Sequence, residues 1–338
     1  MKRLLSSIYI IICVLPFVLG GCIREDEYDN SPAGNFEALW KLIDEHYCYL
    51  DYKGIDWDSI YNVYSPQISD DMGDDALFEV LGNMLAELKD GHVNLYSAWN
   101  TARYWDWYLD YPRNYSEELI EQYLGRDYRI GGGAKYTIFT DNIGYVSYPD
   151  FSAAIGDGNL DEMLLYLGMC NGLIIDVRNN GGGNLTTSSQ LAARFTNERV
   201  LTGYIQHKTG PGHSDFSDPE PLYIAPSDGV RWQKPVVVLT NRHSYSATND
   251  FVNAMRCFSQ VTLMGDRTGG GGGMPFSSEL PNGWGVRFSA SPTLDVDGQH
   301  IEDGIDPDIH VDMTDEDKAQ GLDTIIEEAR AWLNGSAS

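Results

Sequence analysis

Residues 235–256 read PVVVLTNRHSYSATNDFVNAMR. Val236, Val237, Val238 and Leu239 form an unbroken apolar run, as expected of a strand covered on both faces rather than one alternating between core and water. From Ser246 onward, Phe251, Val252 and Met255 fall at helical spacing. Ser246 therefore stands where a buried strand turns into a helix. The unpaired N–H groups and the positive dipole end at a helix start favour a developing negative charge. Serine is also among the best helix N-caps, and for this stretch alone a cap is the plainer reading.

The same pattern recurs on either side. IGYVSYPDF (143–151), GLIIDVR (172–178) and VTLMG (261–265) read as strands, with LDEMLLYLGM (160–169) and TSSQLAARFT (187–196) as helices between them. Apolar strands alternating with helices predict an α/β fold, a mixed α+β sheet with crossover helices. Gly181, Gly182 and Gly183 follow one of these strands. Backbone amides of such a turn can converge on an anion. A phosphate cradle would end in Lys-Ser/Thr, which this turn lacks. Farther upstream, Phe36, Leu39, Trp40, Leu42 and Ile43 and the segment DDALFEVLGNMLAEL (74–88) mark amphipathic helices, so residues 35–97 read as a small N-terminal helical subdomain. Residues 98–134 form an aromatic-rich insert containing WNTARYWDWYLDYPRNY, either a stacking surface for a ligand or a packed, partly exposed segment. Residues 135–332 form the core.

At the start of the chain, Lys2 and Arg3 precede an apolar run ending in LGGC at Cys22. Residues 1–21 have the form of a lipoprotein signal peptide, and cleavage would leave the Cys22 thiol for lipidation. Residues 22–34 read as a tether. The expected location is the cell envelope, as an outer-membrane lipoprotein facing the periplasm or the cell surface. The net charge of −27 argues against nucleic acid as a partner, because phosphate binding needs clustered Lys and Arg. Beyond Cys22, Cys48, Cys170 and Cys257 suggest no disulfide framework. The histidines lack metal-ligand spacing, so no metal and no cofactor is expected.

Together, IGYVSYPDF, LIIDVRNNGGG, VVVLTNRHSYSATNDF, GDRTGGGG and IEDGIDPDIHV follow in the order of the tail-specific, or C-terminal processing, serine proteases, and FEALWKLIDEHY and LKDGHV resemble the helical N-terminal part of the same superfamily. The resemblance implies a ClpP- or crotonase-like core and hydrolysis of protein or peptide substrates. It makes Ser246, which precedes Ala247-Thr248-Asn249, the nucleophile, and not Ser244. Even extended to residue 142, the insert is below the roughly 50 residues of an ordinary domain, so the PDZ module of many relatives is not expected.

The sequence departs from the best-known branch at its base. Glycine stands where the dyad lysine would be, in GDRTGGGGGMPF. A serine hydroxyl is a poor nucleophile without a base. The resemblance to the tricorn-core branch implies His92 as that base and Glu302 as the group orienting it, with Asp303 and Asp306 as rivals for the third role. Gly182, Gly183 and Ala247 would form the oxyanion hole. His243, so close to Ser246 in sequence, reads as a turn or pocket-rim residue. The alternative is a non-catalytic ligand- or peptide-binding lipoprotein on the same fold. A glycoside hydrolase would need a convergent carboxylate pair, which nothing singles out.

Overall fold

The computed structural model describes residues 28–336. The segment read as a signal peptide and Cys22 lie outside the described residues. The first helix, Pro32–His46, begins inside the segment assigned to the tether. Ser31 Oγ accepts the Gly34 N–H at 3.0 Å, and Pro32 occupies the first turn, where its missing N–H costs nothing.

The expected α/β core is present. Seven strands form one sheet, in spatial order Ile309–His310, Val261–Gly265, Val236–Thr240, Gly172–Asp176, Ile143–Ser147, Ala134–Ile138 and Arg129–Gly131. The first five are parallel to their neighbours and the last two antiparallel. The apolar runs are explained by cover on both faces. Val236, Val238, Leu173 and Ile175 pack with helices Asp157–Leu167, Leu185–Ala192 and Ala247–Met255. Val237, Leu239, Ile174 and Tyr145 pack on the opposite face with helices Glu117–Leu124 and Thr324–Ser336.

The segment between Tyr96 and Ile143 is not an independent module. Its helix Glu117–Leu124 buries Leu119, Ile120 and Leu124 in the core, and strands Arg129–Gly131 and Ala134–Ile138 extend the main sheet. The core therefore starts well before residue 135, and the final helix carries it past residue 332. The front of the aromatic insert lies at the surface. Trp99 and Trp105 are exposed there, while Trp107 stacks on Tyr245 with ring centroids 4.1 Å apart.

A second, antiparallel sheet joins Thr101–Arg103, Asn94–Tyr96, Gly285–Leu294, Val200–Ile205 and Glu220–Ile224, with Gly273–Glu279 also paired to Gly285–Leu294. It completes the helical part. Phe36, Leu39, Ile43, Leu81 and Leu85 share one core with Leu280, Trp284, Val286 and Phe288. The N-terminal helices thus pack on strands supplied from near the other end of the chain, so residues 35–97 do not close a core alone.

Candidate active site

The site lies at the carboxyl edge of the parallel strands, where chains leaving neighbouring strands open a crevice. Gly172–Asp176 and Val236–Thr240 are adjacent and in register, Asp176 opposite Leu239. The glycine turn and the Ser246 turn are therefore released side by side. Tyr245 N–H donates to Asn180 O at 3.1 Å, and Ser246 N–H to Gly270 O at 2.9 Å, which ties in the loop after the next strand.

Ser246 has φ 58° and ψ −124°, a conformation costly for a residue with a Cβ. Its side chain caps nothing on the helix it precedes. Ser246 Oγ instead lies 2.8 Å from His92 Nε2, across 154 residues of sequence. The capping reading of this serine is thereby displaced. Ser244 is buried, its hydroxyl donating to Val177 O and accepting from Asn241 N–H. His243 packs against Trp107 and Tyr108 at the cleft wall, as a rim residue would.

His92 arrives on the turn before strand Asn94–Tyr96, held in place by that strand's pairing with Gly285–Leu294. Asp90, two residues earlier, accepts the His92 N–H at 2.7 Å, and also accepts from Ser289 Oγ at 2.8 Å and Tyr47 OH at 3.0 Å. Burial works against the Asp90 charge. Lys53, His92 and these donors outweigh it and hold the carboxyl below its ordinary value. Burial likewise drives His92 down to about 4, opposed by Asp90 and assisted by Arg287, Lys53 and Arg103. The imidazole is therefore neutral at rest. His92 Nδ1 is buried and has no hydrogen-bond partner among the described residues.

Glu302 is not on His92. Its carboxylate pairs with Lys53 Nζ at 2.8 Å and accepts the Gly272 N–H at 2.9 Å. Burial and the nearby Asp90 push this carboxyl up, and Lys53 pulls it back. Its expected partnership with the imidazole gives way because the carboxylate is taken up by Lys53, whose Nζ also lies 3.9 Å from Asp90. The rivals fare no better, Asp303 accepting from Tyr52 OH and Asp306 facing Arg267. The carboxylate nearest in connectivity to the base is Asp90. It stood in DGH beside His92, but a backbone-bonded aspartate leaves no signature of its role in sequence. Nothing in the sequence marks Lys53.

Of the three expected oxyanion donors, Gly182 N–H is committed to Asn180 Oδ1 at 3.0 Å. The Gly183 and Ala247 amides have no acceptor among the described residues. Gly182 is nonetheless required. Its φ is +103°, and a Cβ there would sit 2.7 Å from Tyr245 O and 2.8 Å from Ser246 Cβ. A cleft of about 510 Å³ runs over this centre, bounded among others by His92, Gly183, Ser246, Arg103 and Arg287.

A serine hydroxyl on a strand–turn–helix elbow, an imidazole in hydrogen-bond reach and free amides beside it define a serine-hydrolase type of site on an α/β scaffold. Residues 142–311 match Peptidase family S41, half of the chain, and residues 28–86 match the tricorn protease C1 domain. The chain belongs to peptidase family S41. A solved candidate peptidase from Parabacteroides merdae is 57% identical, covers 90% of this chain and 97% of its own, and superposes with a TM-score of 0.87. The carboxy-terminal processing protease CtpA of Bacillus subtilis is 26% identical over 185 residues, 54% of this chain and 38% of that protein. Mature CPAF, solved in complex with lactacystin, shares the fold at 13% identity, with a TM-score of 0.70 over 91% of this chain and 97% of its own. The chain spans less than two fifths of the length of the curated relatives it matches.

Proposed function

We propose that this chain is a serine peptidase acting on protein or peptide substrates, with Ser246 as nucleophile and His92 as general base. The observation that carries the reading is the 2.8 Å approach of His92 Nε2 to Ser246 Oγ. His92 takes the hydroxyl proton as Oγ attacks the carbonyl carbon of the scissile bond. The oxyanion of the tetrahedral intermediate is received by the Gly183 and Ala247 amides at the helix N-terminus. The imidazolium then gives its proton to the leaving amine, and water repeats the sequence on the acyl-enzyme. An imidazolium in a buried site is costly, and the negative charge of Asp90 offsets that cost. Glu302 acts one step further back by holding Lys53 beside Asp90.

A fluorophosphonate probe tests the reading through the nucleophile alone. Mass spectrometry should find the phosphonyl adduct on Ser246, no adduct in Ser246→Ala, and labelling slowed by at least about 10³-fold in His92→Ala. An unlabelled wild-type chain would favour a non-catalytic binding protein on this fold. The basic and apolar start ending in LGGC supports attachment to the cell envelope through a lipidated Cys22. Mass spectrometry of the mature N-terminus should find acylated Cys22, and a free thiol there would refute the anchor.

A further inference from the structure

A second cavity, of about 260 Å³, takes part of its lining from residues that follow the three loops of the site. Asp250 lies one helical turn after Ser246, its N–H donating to Ser246 O at 3.1 Å. With that bond closed, the Asp250 backbone sits about one helical pitch, ~5.4 Å, from that of Ser246. Leu185 follows the glycine turn two residues after Gly183, and Met274 follows the glycine run whose Gly270 accepts from Ser246. The rest of the wall is largely apolar, with Ile205, Leu222, Ile224 and Phe251 prominent.

Its polar groups are mostly paired with one another. Ser188 Oγ donates to Leu185 O, and Asn253 Nδ2 to Thr202 O. Asp250 is the charged group among them. It is partly buried, it is the one carboxylate among the described residues lining the cavity, and its side chain forms no hydrogen bond or ion pair with them. Burial alone raises it to about 7. The volume falls below the roughly 300 Å³ at which sites for whole small ligands begin, and suits a single side chain.

We propose that this cavity is a specificity subsite for a substrate lysine or arginine, the aliphatic stem lying on the apolar wall and the cation pairing with Asp250. The proposal rests on the peptidase reading of Ser246. A neutral chain of equal length would fill the wall but leave the carboxylate unpaired, so the pocket discriminates by charge and not by shape. The net charge of −27 draws cationic peptides toward the surface in the same sense.

The test uses acetylated alanine hexapeptides carrying one lysine or one norleucine at each position in turn. Binding of their fluorescein-labelled forms to the Ser246→Ala chain is read by anisotropy, so that no turnover is needed. At one position lysine should bind about tenfold more tightly than norleucine, the scale of one partly buried ion pair. Asp250→Asn on the same background should erase that preference, and Asp250→Glu should keep it. A lysine preference at no position, or one that survives Asp250→Asn, overturns the subsite. Hydrolysis of the unlabelled peptides by the wild-type chain is scored separately. Lysine-selective binding by a chain that neither cleaves these peptides nor takes the fluorophosphonate would refute the peptidase reading and leave Asp250 as a cation-binding site only.

Discussion

At Ser246 the backbone and side chain serve the same end. A positive φ on a non-glycine residue is costly, and here the turn that imposes it aims the hydroxyl at His92 instead of at the helix start. The state of the base then follows from its surroundings. A general base must be neutral in the free enzyme, and burial pulls the His92 imidazole from the ordinary histidine value down to about 4. The kcat/KM profile for peptide hydrolysis should therefore stay level from pH 7 to about 5 and fall to half near 4. An acid limb near 6.5 would mean a solvated base. Asp90 opposes that depression, so Asp90→Asn should move the limb lower still and cut kcat by about 10²-fold, the loss of one charge acting through space on the imidazolium. Glu302→Gln reaches the imidazole only through Lys53 and should cost less than a tenth as much. Equal losses in the two variants would place Glu302 beside the base after all.

Among the elements, the decisive juxtaposition is two parallel strands released at one level, which sets the glycine turn against the Ser246 turn. Gly182→Ala tests that contact. The added methyl meets Tyr245 O and Ser246 Cβ, and the φ of +103° is unfavourable for alanine. The rate of fluorophosphonate labelling should fall by about 10² or more, with stability lowered by about 1–2 kcal/mol in urea unfolding. Unchanged labelling would separate this turn from the site. Both turns were legible in sequence, because each sits at the end of an unbroken apolar run and carries glycine or serine where the chain must bend. The position of Glu302 was not. Which carboxylate backs His92 depends on the pairing of Asn94–Tyr96 with Gly285–Leu294, and on Lys53 taking up Glu302, neither of which has a local pattern. The Gly182 amide escaped for a similar reason. A glycine turn announces amides without saying which of them a neighbouring Asn180 occupies.

Across the whole molecule, the site exists only because two distant parts of the chain meet. His92 is positioned by helices whose core is completed by Trp284, Val286 and Phe288, whereas Ser246 belongs to the parallel sheet. In sequence these parts fall on either side of a residue boundary, since the periodicity of a helix reveals its buried face but not what covers it. The division fails where the second sheet threads residues 94–96 between segments from both ends. If Ser246 and His92 act as one unit, a double-mutant cycle on kcat/KM for peptide hydrolysis will show it. Ser246→Ala and His92→Ala should each lose nearly all activity, on the order of 10⁴-fold or more, and the double variant should be little worse than either, as expected of residues that work only together. His243→Ala, altering a rim residue packed on Trp107, should keep most of it. Additive losses at Ser246 and His92, or an active His92→Ala beside a dead His243→Ala, would mean that His92 is not the base of Ser246.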